Sequence, residues 1–277
     1  MGNQIQVLKL RSNKFKPGSV VIITGASSGI GRELAINYAQ RNCSILLAAR
    51  TESKLKEVQK LCTDLGGKVE YVIADVSKEE DCKNIIQTCI QKFNRIDIMV
   101  LNAGINAHAR FDEIEDLSVY KKLMDTNFYG YLYMTKYALP YLKTSKGQIL
   151  VLSSMSGEIG LPERSAYCSS KFAVTGFFES LRIEMDNPDL AITIVCPPSV
   201  KTPMRDHDIL KLHQEKSESQ KELDDRMTVE DAVKYIMLAA DKRARKIYFP
   251  IKAYTAVYLR PFFPDYVDRK LKEKAKL

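Results

Sequence analysis

A tyrosine and a lysine, Tyr167 and Lys171, stand four positions apart in the sequence. Residues at this spacing share one face of a helix, so the phenol would lie beside the ammonium group. A neighbouring positive charge favours the phenolate and predicts a pKa for Tyr167 that is lowered from about 10 toward neutrality. Such a phenol can exchange a proton with a substrate near physiological pH. Ser154, upstream of a loop with glycines and a proline, could hold a carbonyl oxygen during that exchange, although the Tyr–Lys pair alone also fits an exposed helix face.

A glycine-rich turn follows the first apolar segment of the chain. Residues 19–24 are short, apolar and β-branched, as in a strand buried on both faces of a parallel sheet. The turn from Gly25 to Gly31 leads into an amphipathic helix with Leu34 and Tyr38 on its apolar face. Glycines let the backbone approach a pyrophosphate, whose negative charge faces the helix N-terminus. The order strand, turn and helix therefore predicts a dinucleotide site.

Strands and helices alternate along the rest of the chain. After the first strand, the strands are predicted at residues 44–49, 68–74, 97–101, 148–153, 191–196 and 246–249. The helices between them are predicted at residues 52–65, 78–93, 117–141, 165–186 and 229–240. This alternation indicates an α/β protein, with a single-domain Rossmann fold and a doubly wound, parallel, seven-stranded sheet that has helices on both faces. Asn127 lies inside the long fourth helix, where its propensity is unfavourable, which indicates a specific task.

The end of the second strand bears on the choice between NAD and NADP. At this point an acidic residue favours NAD and a basic residue favours NADP. The sequence carries no acid here, and Arg50 is placed to pair with a 2′-phosphate. NADP(H) is therefore the expected cofactor and NAD(H) the alternative, since Arg50 could also be an ordinary surface arginine.

Cysteine, histidine and hydropathy patterns exclude several classes of protein. The six cysteines are scattered, mostly within apolar segments, without a C-x-x-C pair, as expected of reduced thiols in an intracellular protein. With only three histidines in the chain, no metal site is predicted. No apolar run is long enough for a spanning helix, and the N-terminus lacks the apolar block of a secretory signal.

The formal net charge of +8 is concentrated at the two ends of the chain. Residues 1–18 contain four basic residues and no acid, and residues 269–277 contain five basic residues and one acid, so the body between them is neutral. A neutral body argues against a nucleic-acid-binding face. Basic ends suit contact with an anionic membrane, or they serve only solubility.

With these residues in place, the chain resembles the short-chain dehydrogenase/reductase family over about residues 17–252. The cofactor turn of the family is matched by Thr24, Gly25, Ser27, Ser28, Gly29, Ile30 and Gly31. The residues that border its adenine and its central sheet are matched by Asp75, Val76, Asn102, Ala103 and Gly104. The catalytic tetrad is matched by Asn127, Ser154, Tyr167 and Lys171.

The resemblance implies a mechanism and some contacts with the cofactor. Ser154 would hold the substrate carbonyl oxygen, and Tyr167 would protonate it as hydride arrives. Lys171 would bind the nicotinamide ribose and lower the pKa of the tyrosine, while Asn127 would hold a water of a proton relay.

After the sixth strand, Pro197-Pro198 replaces the usual Pro-Gly of the family, and Val200 and Thr202 match its contacts with the carboxamide. The usual basic residue of NADP-dependent members is absent at Ser28. The resemblance also implies a homo-oligomer, either a dimer or a tetramer.

Two segments are expected to decide the substrate and the location. Residues 203–227 are long and polar and predict either a substrate lid or a plain surface helix, with His207 and His213 solvated. Residues 253–277 form an aromatic and basic extension, which suits a membrane interface or a subunit partner. This extension resembles those of the membrane-associated hydroxysteroid-dehydrogenase-like and 3-ketosphinganine-reductase-like branches of the family. The last three residues, Ala-Lys-Leu, also resemble a peroxisomal address.

Together these features divide the chain into a basic tail (1–16), a Rossmann domain (17–252) and a C-terminal extension (253–277). The predicted function is NADP(H)-dependent interconversion of a ketone and a secondary alcohol on a lipophilic substrate: a 3-keto sphingoid base, a steroid or an acyl ketone. The predicted location is the cytoplasm or the cytoplasmic face of a membrane such as the endoplasmic reticulum. Two alternatives remain: an NAD-dependent alcohol dehydrogenase for a small polar substrate, and a non-catalytic NADP-binding regulatory protein.

Overall fold

The computed structural model describes residues 16–185, 189–204, 208–210 and 226–275. Its centre is a seven-stranded sheet in the order β3-β2-β1-β4-β5-β6-β7, and every neighbouring pair is parallel. The strands are β1 (Val20–Thr24), β2 (Ser44–Ala49), β3 (Lys68–Ile73), β4 (Ile98–Leu101), β5 (Gln148–Leu152), β6 (Ala191–Cys196) and β7 (Lys246–Tyr248). The predicted doubly wound parallel sheet is confirmed, with strand boundaries within one residue of the predicted ones.

Helices connect the strands and cover both faces of the sheet. They are α1 (Gly29–Ala39), α2 (Glu52–Asp64), α3 (Glu79–Phe93), α4 (Ser118–Met124), α5 (Gly130–Ser145), α6 (Ser165–Glu184), α7 (Val229–Asp241), α8 (Ile251–Leu259) and α9 (Pro264–Ala275). The helix predicted at 117–141 is instead α4 and α5, joined by one turn of π-helix at Asp125–Tyr129. Helices α8 and α9 form the C-terminal extension.

Strand β1 shows why an uninterrupted apolar run belongs at the centre of this sheet. Val21 and Ile23 face the apolar cluster formed with α1, α2 and α7. Val20 and Ile22 face the opposite cluster, formed with α3, α5 and α6. Because side chains alternate along a strand, a strand covered on both faces must be apolar at every position. Within the described residues, no helix is both long and apolar enough to cross a membrane.

Candidate active site

The catalytic candidates meet where β5 ends and α6 begins. Ser154 follows the last residue of β5 by two positions, and its hydroxyl accepts a hydrogen bond of 3.1 Å from the backbone N–H of Ser156. That hydroxyl also lies near the phenol of Tyr167, which is in the first turn of α6, and lowers the pKa of the phenol. Tyr167 is only 8% exposed. The structure therefore brings the predicted serine and tyrosine close together across the loop that separates them.

Lys171 lies one helical turn beyond Tyr167 and is 3% exposed. Its Nζ donates a hydrogen bond of 2.9 Å to the carbonyl oxygen of Leu152, the last residue of β5. The same nitrogen lies 5.8 Å from the ring centroid of Tyr167 and 5.3 Å from that of Tyr131. Burial lowers the pKa of Lys171 to about 8. The predicted pairing on one helix face is confirmed, and the amine is held over the two rings.

The predicted lowering of the pKa of Tyr167 by Lys171 is wrong for this geometry. Burial raises the pKa of Tyr167 above its ordinary value. The positive charge of Arg164 and the hydrogen bond from Ser154 oppose this rise without overcoming it. The amine of Lys171 is directed to the Leu152 carbonyl rather than to the phenol oxygen. At neutral pH Tyr167 is therefore a protonated phenol.

Asn127 lies within the π-helical turn between α4 and α5 and is fully buried. Its side-chain oxygen accepts a 2.8 Å hydrogen bond from the N–H of Ile105, and its Nδ2 donates to the Ile105 carbonyl at 3.0 Å. The Nδ2 also donates to the Ser170 hydroxyl at 3.0 Å. Single π-helical turns are common at functional sites. The specific task indicated by the sequence thus includes fixing the loop after β4 beside α6, while the water relay stays a prediction.

The glycines of the glycine-rich turn allow a ligand to approach its backbone closely. Gly25 and Gly29 adopt φ values of +65° and +53°, a region that favours glycine. A Cβ at Gly31 would lie 2.6 Å from Nδ2 of Asn102, which donates to the carbonyls of Thr24 and Gly25 at 3.0 and 3.2 Å. The turn leaves no room for a side chain at Gly25 or Gly31, and the helix that follows carries no acid in its first turn. Both features fit a dinucleotide pyrophosphate.

Thr24 and Asn102 tie the turn to the sheet. The Thr24 hydroxyl donates to the carbonyl of Val100 at 3.2 Å and accepts from the N–H groups of Asn102 and Ala103 at 3.0 and 3.1 Å. A Cβ at Gly104 would lie 3.2 Å from the side-chain oxygen of Asn127. The three residues after β4 thus contact both the glycine-rich turn and Asn127. Ser27, Ser28 and Ile30 lie between the turn glycines, partly exposed, with Ser28 directly preceding α1.

Arg50 and Asp75 follow β2 and β3 on the same edge of the sheet. Arg50 is exposed, and no hydrogen bond or ion pair occupies its guanidinium among the described residues. Asp75 accepts hydrogen bonds at 3.0 and 2.8 Å from the N–H and hydroxyl of Ser77, and its neighbour Val76 is buried. Both side chains are placed at the carboxyl ends of parallel strands, where ligands of such sheets bind. Their contacts with a cofactor stay predictions.

The segment after β6 returns toward the glycine turn. Val200 pairs with Met227, and a methyl carbon of Thr202 would lie 3.1 Å from a Cβ at Gly29. This contact places Thr202 beside the glycine turn, while the predicted contacts of Val200 and Thr202 with the carboxamide stay predictions. Of the lid predicted at 203–227, residues 205–207 and 211–225 lie outside the described residues, and so do His207 and His213. The lid and the solvated histidines therefore stay predictions.

Several residues of the site were not found by sequence reasoning. Tyr131 is 1% exposed, and its hydroxyl donates a 3.2 Å hydrogen bond to the same Leu152 carbonyl that Lys171 contacts. Its only sequence signal is its position four residues after Asn127. Glu158, in the loop between Ser154 and Tyr167, accepts hydrogen bonds from Lys246 and Tyr248 at 2.9 and 2.6 Å and so ties this loop to β7.

The fold and the site are those of a dinucleotide-binding oxidoreductase with a serine, a tyrosine and a lysine at the carboxyl ends of its strands. The sequence profile described as "short chain dehydrogenase" matches residues 19–211. The chain therefore belongs to the short-chain dehydrogenase family.

Similar proteins support this assignment. The chain is 48% identical over 186 residues to 11-beta-hydroxysteroid dehydrogenase A of Sesamum indicum, covering 67% of this chain and 53% of that protein. It is 37% identical over 260 residues to an 11-beta-hydroxysteroid dehydrogenase of Pinus massoniana, covering 91% of this chain and 72% of that protein. The matched part thus spans about half the length of the sesame protein.

Solved structures share the fold. A short chain dehydrogenase/reductase from Burkholderia phymatum in complex with NAD has a TM-score of 0.80 at 22% identity, covering 90% of this chain and 95% of that chain. An alcohol dehydrogenase from Thermococcus sibiricus complexed with 5-hydroxy-NADP has a TM-score of 0.72 at 26% identity, covering 83% of this chain and 95% of that chain.

Proposed function

We propose that this protein is an NADP(H)-dependent oxidoreductase that interconverts a ketone and a secondary alcohol on a lipophilic substrate. Ser154 holds the carbonyl oxygen, and Tyr167 exchanges the proton. Lys171 orients the nicotinamide ribose, and Asn127 fixes the loop that borders it. The bound nicotinamide supplies or accepts the hydride.

The protonation states of the site support carbonyl reduction. Because burial raises the pKa of Tyr167, the phenol carries its proton at neutral pH. A protonated phenol beside Ser154 can donate to a carbonyl oxygen as negative charge develops there. For alcohol oxidation the same phenol must first lose its proton, so we expect this direction to require a higher pH.

One observation carries the proposal of a lipophilic substrate: apolar side chains surround Tyr167. Tyr167 belongs to an apolar cluster with the buried residues Ala107, Val119, Leu123 and Ala166. Partly buried apolar side chains extend this cluster: Ile105, Ile114, Tyr120, Ile209 and Leu210. An apolar wall beside a hydrogen-bonding pair suits a substrate that is mostly hydrocarbon with one carbonyl. The names of the sesame and pine relatives add weight to a steroid, with 3-keto sphingoid bases and acyl ketones as the other candidates.

The preference for NADP(H) is proposed from Arg50. Its exposed guanidinium at the carboxyl end of β2 is free to form a bidentate pair with a 2′-phosphate. No acidic side chain stands at this strand end, since Ala49 precedes Arg50 and Thr51 follows it. An acid there would bind ribose hydroxyls and repel the phosphate.

The decisive experiment measures nicotinamide oxidation by the full chain with steroid ketones, 3-keto sphingoid bases, acyl ketones and short-chain carbonyls, with NADPH and with NADH. We expect turnover of at least one lipophilic ketone with NADPH, and loss of that turnover in Tyr167→Phe with cofactor binding retained. Tyr137→Phe, which removes a hydroxyl bonded to Glu79 on the surface, is the matched control. Full activity in Tyr167→Phe would disprove the mechanism.

The same assay separates the two alternatives. Turnover of small polar alcohols with NAD in preference to NADP would establish the alcohol dehydrogenase. Tight binding of NADPH without turnover of any carbonyl would establish the regulatory protein. The complete set of Asn127, Ser154, Tyr167 and Lys171 favours the enzyme, since a protein that only binds the dinucleotide has no use for a phenol hydrogen-bonded to a serine.

We also propose that the C-terminal extension contacts an anionic membrane surface. Four aromatic side chains on or between α8 and α9 are more than half exposed: Tyr258 (60%), Phe262 (77%), Phe263 (59%) and Tyr266 (51%). Basic side chains accompany them, with the Arg269 guanidinium 5.8 Å from the ring centroid of Tyr266. Aromatic rings beside basic groups suit the headgroup region of a bilayer.

Co-sedimentation with phosphatidylserine-containing vesicles tests this membrane contact. We expect the double variant Phe262→Ser/Phe263→Ser to bind several-fold more weakly than the unchanged chain. Phe111→Ser, which removes a side chain of similar exposure (65%) outside the extension, is the control. Equal binding by all three proteins would contradict the proposal. If the unchanged chain were a dimer and the double variant a monomer, the exposed aromatic side chains would instead contact a partner subunit.

A homo-oligomer and a location inside the cell complete the proposal. Exposed apolar side chains on α6, Phe172 (44%) and Ile183 (80%), offer area for a subunit contact. Light scattering of the purified chain would distinguish a monomer from a dimer or tetramer. Fluorescent tagging at the N-terminus, which leaves the C-terminal Ala-Lys-Leu free, would distinguish a cytoplasmic or endoplasmic reticulum pattern from a peroxisomal one.

A further inference from the structure

Three segments that are distant in the sequence meet at the side chain of Asn106. This residue lies in the loop after β4 and is 3% exposed. Its Nδ2 donates a hydrogen bond of 3.1 Å to Oδ2 of Asp208, and its Oδ1 accepts one of 3.3 Å from Nη1 of Arg164. Its backbone carbonyl accepts from the N–H of Ile209 at 3.1 Å. One buried amide therefore joins the start of α6 to the segment after β6.

The same network reaches Tyr167. Arg164 directly precedes α6, and its carbonyl accepts a 2.7 Å hydrogen bond from the N–H of Cys168 in the first turn, which also carries Tyr167. Ile209, next to Asp208, packs on the apolar cluster that contains Tyr167. Asn106 thus fixes both the arginine that precedes the catalytic tyrosine and the apolar side chains that lie beside it.

We propose that Arg164 is a positioning residue for the reaction, held by Asn106 so that its positive charge stabilises the phenolate of Tyr167. This inference rests on the proposed function. In reduction the hydride adds to the carbonyl carbon, the phenol O–H bond breaks, its proton moves to the carbonyl oxygen, and the negative charge stays on Tyr167. A fixed guanidinium near this charge lowers the free energy of the transition state without reorganisation. Asp208 closes the network by holding the other end of the Asn106 amide.

The electrostatics of Tyr167 agree with this role. Burial raises the pKa of Tyr167, and the charge of Arg164 is the largest effect that opposes the rise, ahead of the hydrogen bond from Ser154. Among the described residues, the other titratable or charged groups around this end of α6 are Cys168 and Lys171 on α6, Tyr120 on α4, Tyr131 on α5, Arg260 after α8, the His108–Glu163 ion pair (3.1 Å) and Asp208.

The pH dependence of alcohol oxidation distinguishes a charge effect from a structural one. The rate of alcohol oxidation rises with pH as Tyr167 ionises. We expect Arg164→Gln to shift this rise in the pH–rate profile to higher pH by about one unit. Arg164→Lys keeps a positive charge and should keep the rise within a fraction of that shift. Arg110→Gln, which removes an arginine paired with Asp112 on the surface, should leave it unchanged. If Arg164→Gln lowered the rate but left the pH at which the rate rises unchanged, the proposal would be overturned.

A second measurement does not depend on turnover. Phenolate absorbance is titrated in the full chain and in Arg164→Gln, and the titration of the matching variant that also carries Tyr167→Phe is subtracted from each. The difference reports the ionisation of Tyr167 alone, and we expect it at higher pH in Arg164→Gln. If no carbonyl is turned over, the proposed function fails while this titration still decides the role of Arg164. Identical titrations would refute that role.

The contribution of Asn106 is tested by hydrogen exchange. Asn106→Ala should speed deuterium uptake at the amides of Ile209 and Leu210 at least several-fold, because the clamp on Asp208 is lost. It should also shift the Tyr167 titration in the same direction as Arg164→Gln. Asn37→Ala, which removes an amide bonded only within α1, is the control. Unchanged exchange together with an unchanged titration in Asn106→Ala would show that Asn106 does not hold the network.

Discussion

Lys171 donates a 2.9 Å hydrogen bond to the carbonyl oxygen of Leu152, so this amine of α6 is anchored to the end of β5 rather than to the Tyr167 phenol one turn away. Its pKa is lowered to about 8 by burial. The amine is therefore held at a buried position where its positive charge opposes folding. A charge kept at such a position is a mark of a functional site, because stability alone would favour an apolar side chain.

The first prediction follows from this cost. A folded-state pKa of about 8 against an ordinary value of 10.5 means that burial opposes folding fully below pH 8, by about 3 kcal/mol. The penalty declines as pH rises above 8 and vanishes above 10.5, because the unfolded chain then also loses the proton. Lys171→Met should therefore be more stable than the unchanged chain at pH 7, and the difference should shrink at pH 9.5.

Urea unfolding of both proteins at the two pH values measures this difference. Comparing the two proteins at each pH cancels the titration of all other groups. Lys143→Met, an exposed lysine on the surface of α5, controls for the general effect of removing a charge. A Lys171→Met protein that is less stable at pH 7, or a difference that grows with pH, would contradict the assigned burial cost.

The second prediction concerns Gly31. A Cβ there would lie 2.6 Å from Nδ2 of Asn102, which is itself fixed by the carbonyls of Thr24 and Gly25. Because neither the amide nor the backbone can give way cheaply, Gly31→Ala should weaken dinucleotide binding at least tenfold and lower stability by about 1–3 kcal/mol. Fluorescence titration with NADPH and thermal unfolding measure the two effects.

Gly176→Ala is the matched control for Gly31→Ala. Gly176 lies in the interior of α6, is exposed, and has open space where a Cβ would stand. Alanine is the better helix former, so this change should raise stability by up to about 1 kcal/mol and leave NADPH binding unchanged. If both variants behaved alike, the turn would not require a glycine for steric reasons.

The sheet could be predicted from the sequence because its central strands β1, β2, β4, β5 and β6 are mostly apolar runs whose two faces both meet the core. The Tyr167–Lys171 pair could be predicted because helical spacing alone places both on one face. The contact between Asn106 and Asp208 joins residues 102 positions apart. It could not be predicted from the sequence, because no local pattern encodes it. The prediction of the direction of the Tyr167 pKa shift was wrong for a related reason. The shift depends on burial by distant segments, and burial outweighs the effect of neighbouring positive charge.

The third prediction concerns the structural task of Asn127. Asn127→Ala leaves the N–H and carbonyl of Ile105 without their partners in a buried place. We expect a loss of about 2–4 kcal/mol in the free energy of unfolding. Asn127→Asp keeps an acceptor for the Ile105 N–H but places a carboxyl group, fully buried, against the Ile105 carbonyl oxygen, so it should cost at least as much as alanine when measured by urea unfolding. Equal stability of the alanine variant and the unchanged chain would show that these hydrogen bonds do not hold the loop.

The last prediction tests whether Arg50 selects the cofactor. A 2′-phosphate that pairs with a guanidinium gains a charge-assisted, bidentate interaction, and an aspartate at the same place would repel it and accept from ribose hydroxyls instead. Arg50→Asp should therefore weaken NADPH binding at least tenfold and leave NADH binding equal or tighter, which narrows or reverses the preference in kcat/KM. Lys272→Asp, an equal change of charge at an exposed position on α9, controls for the long-range effect of charge on an anionic ligand. If Arg50→Asp weakened NADPH and NADH binding by the same factor, Arg50 would act on the dinucleotide as a whole, and the preference for NADP(H) would have to come from another residue.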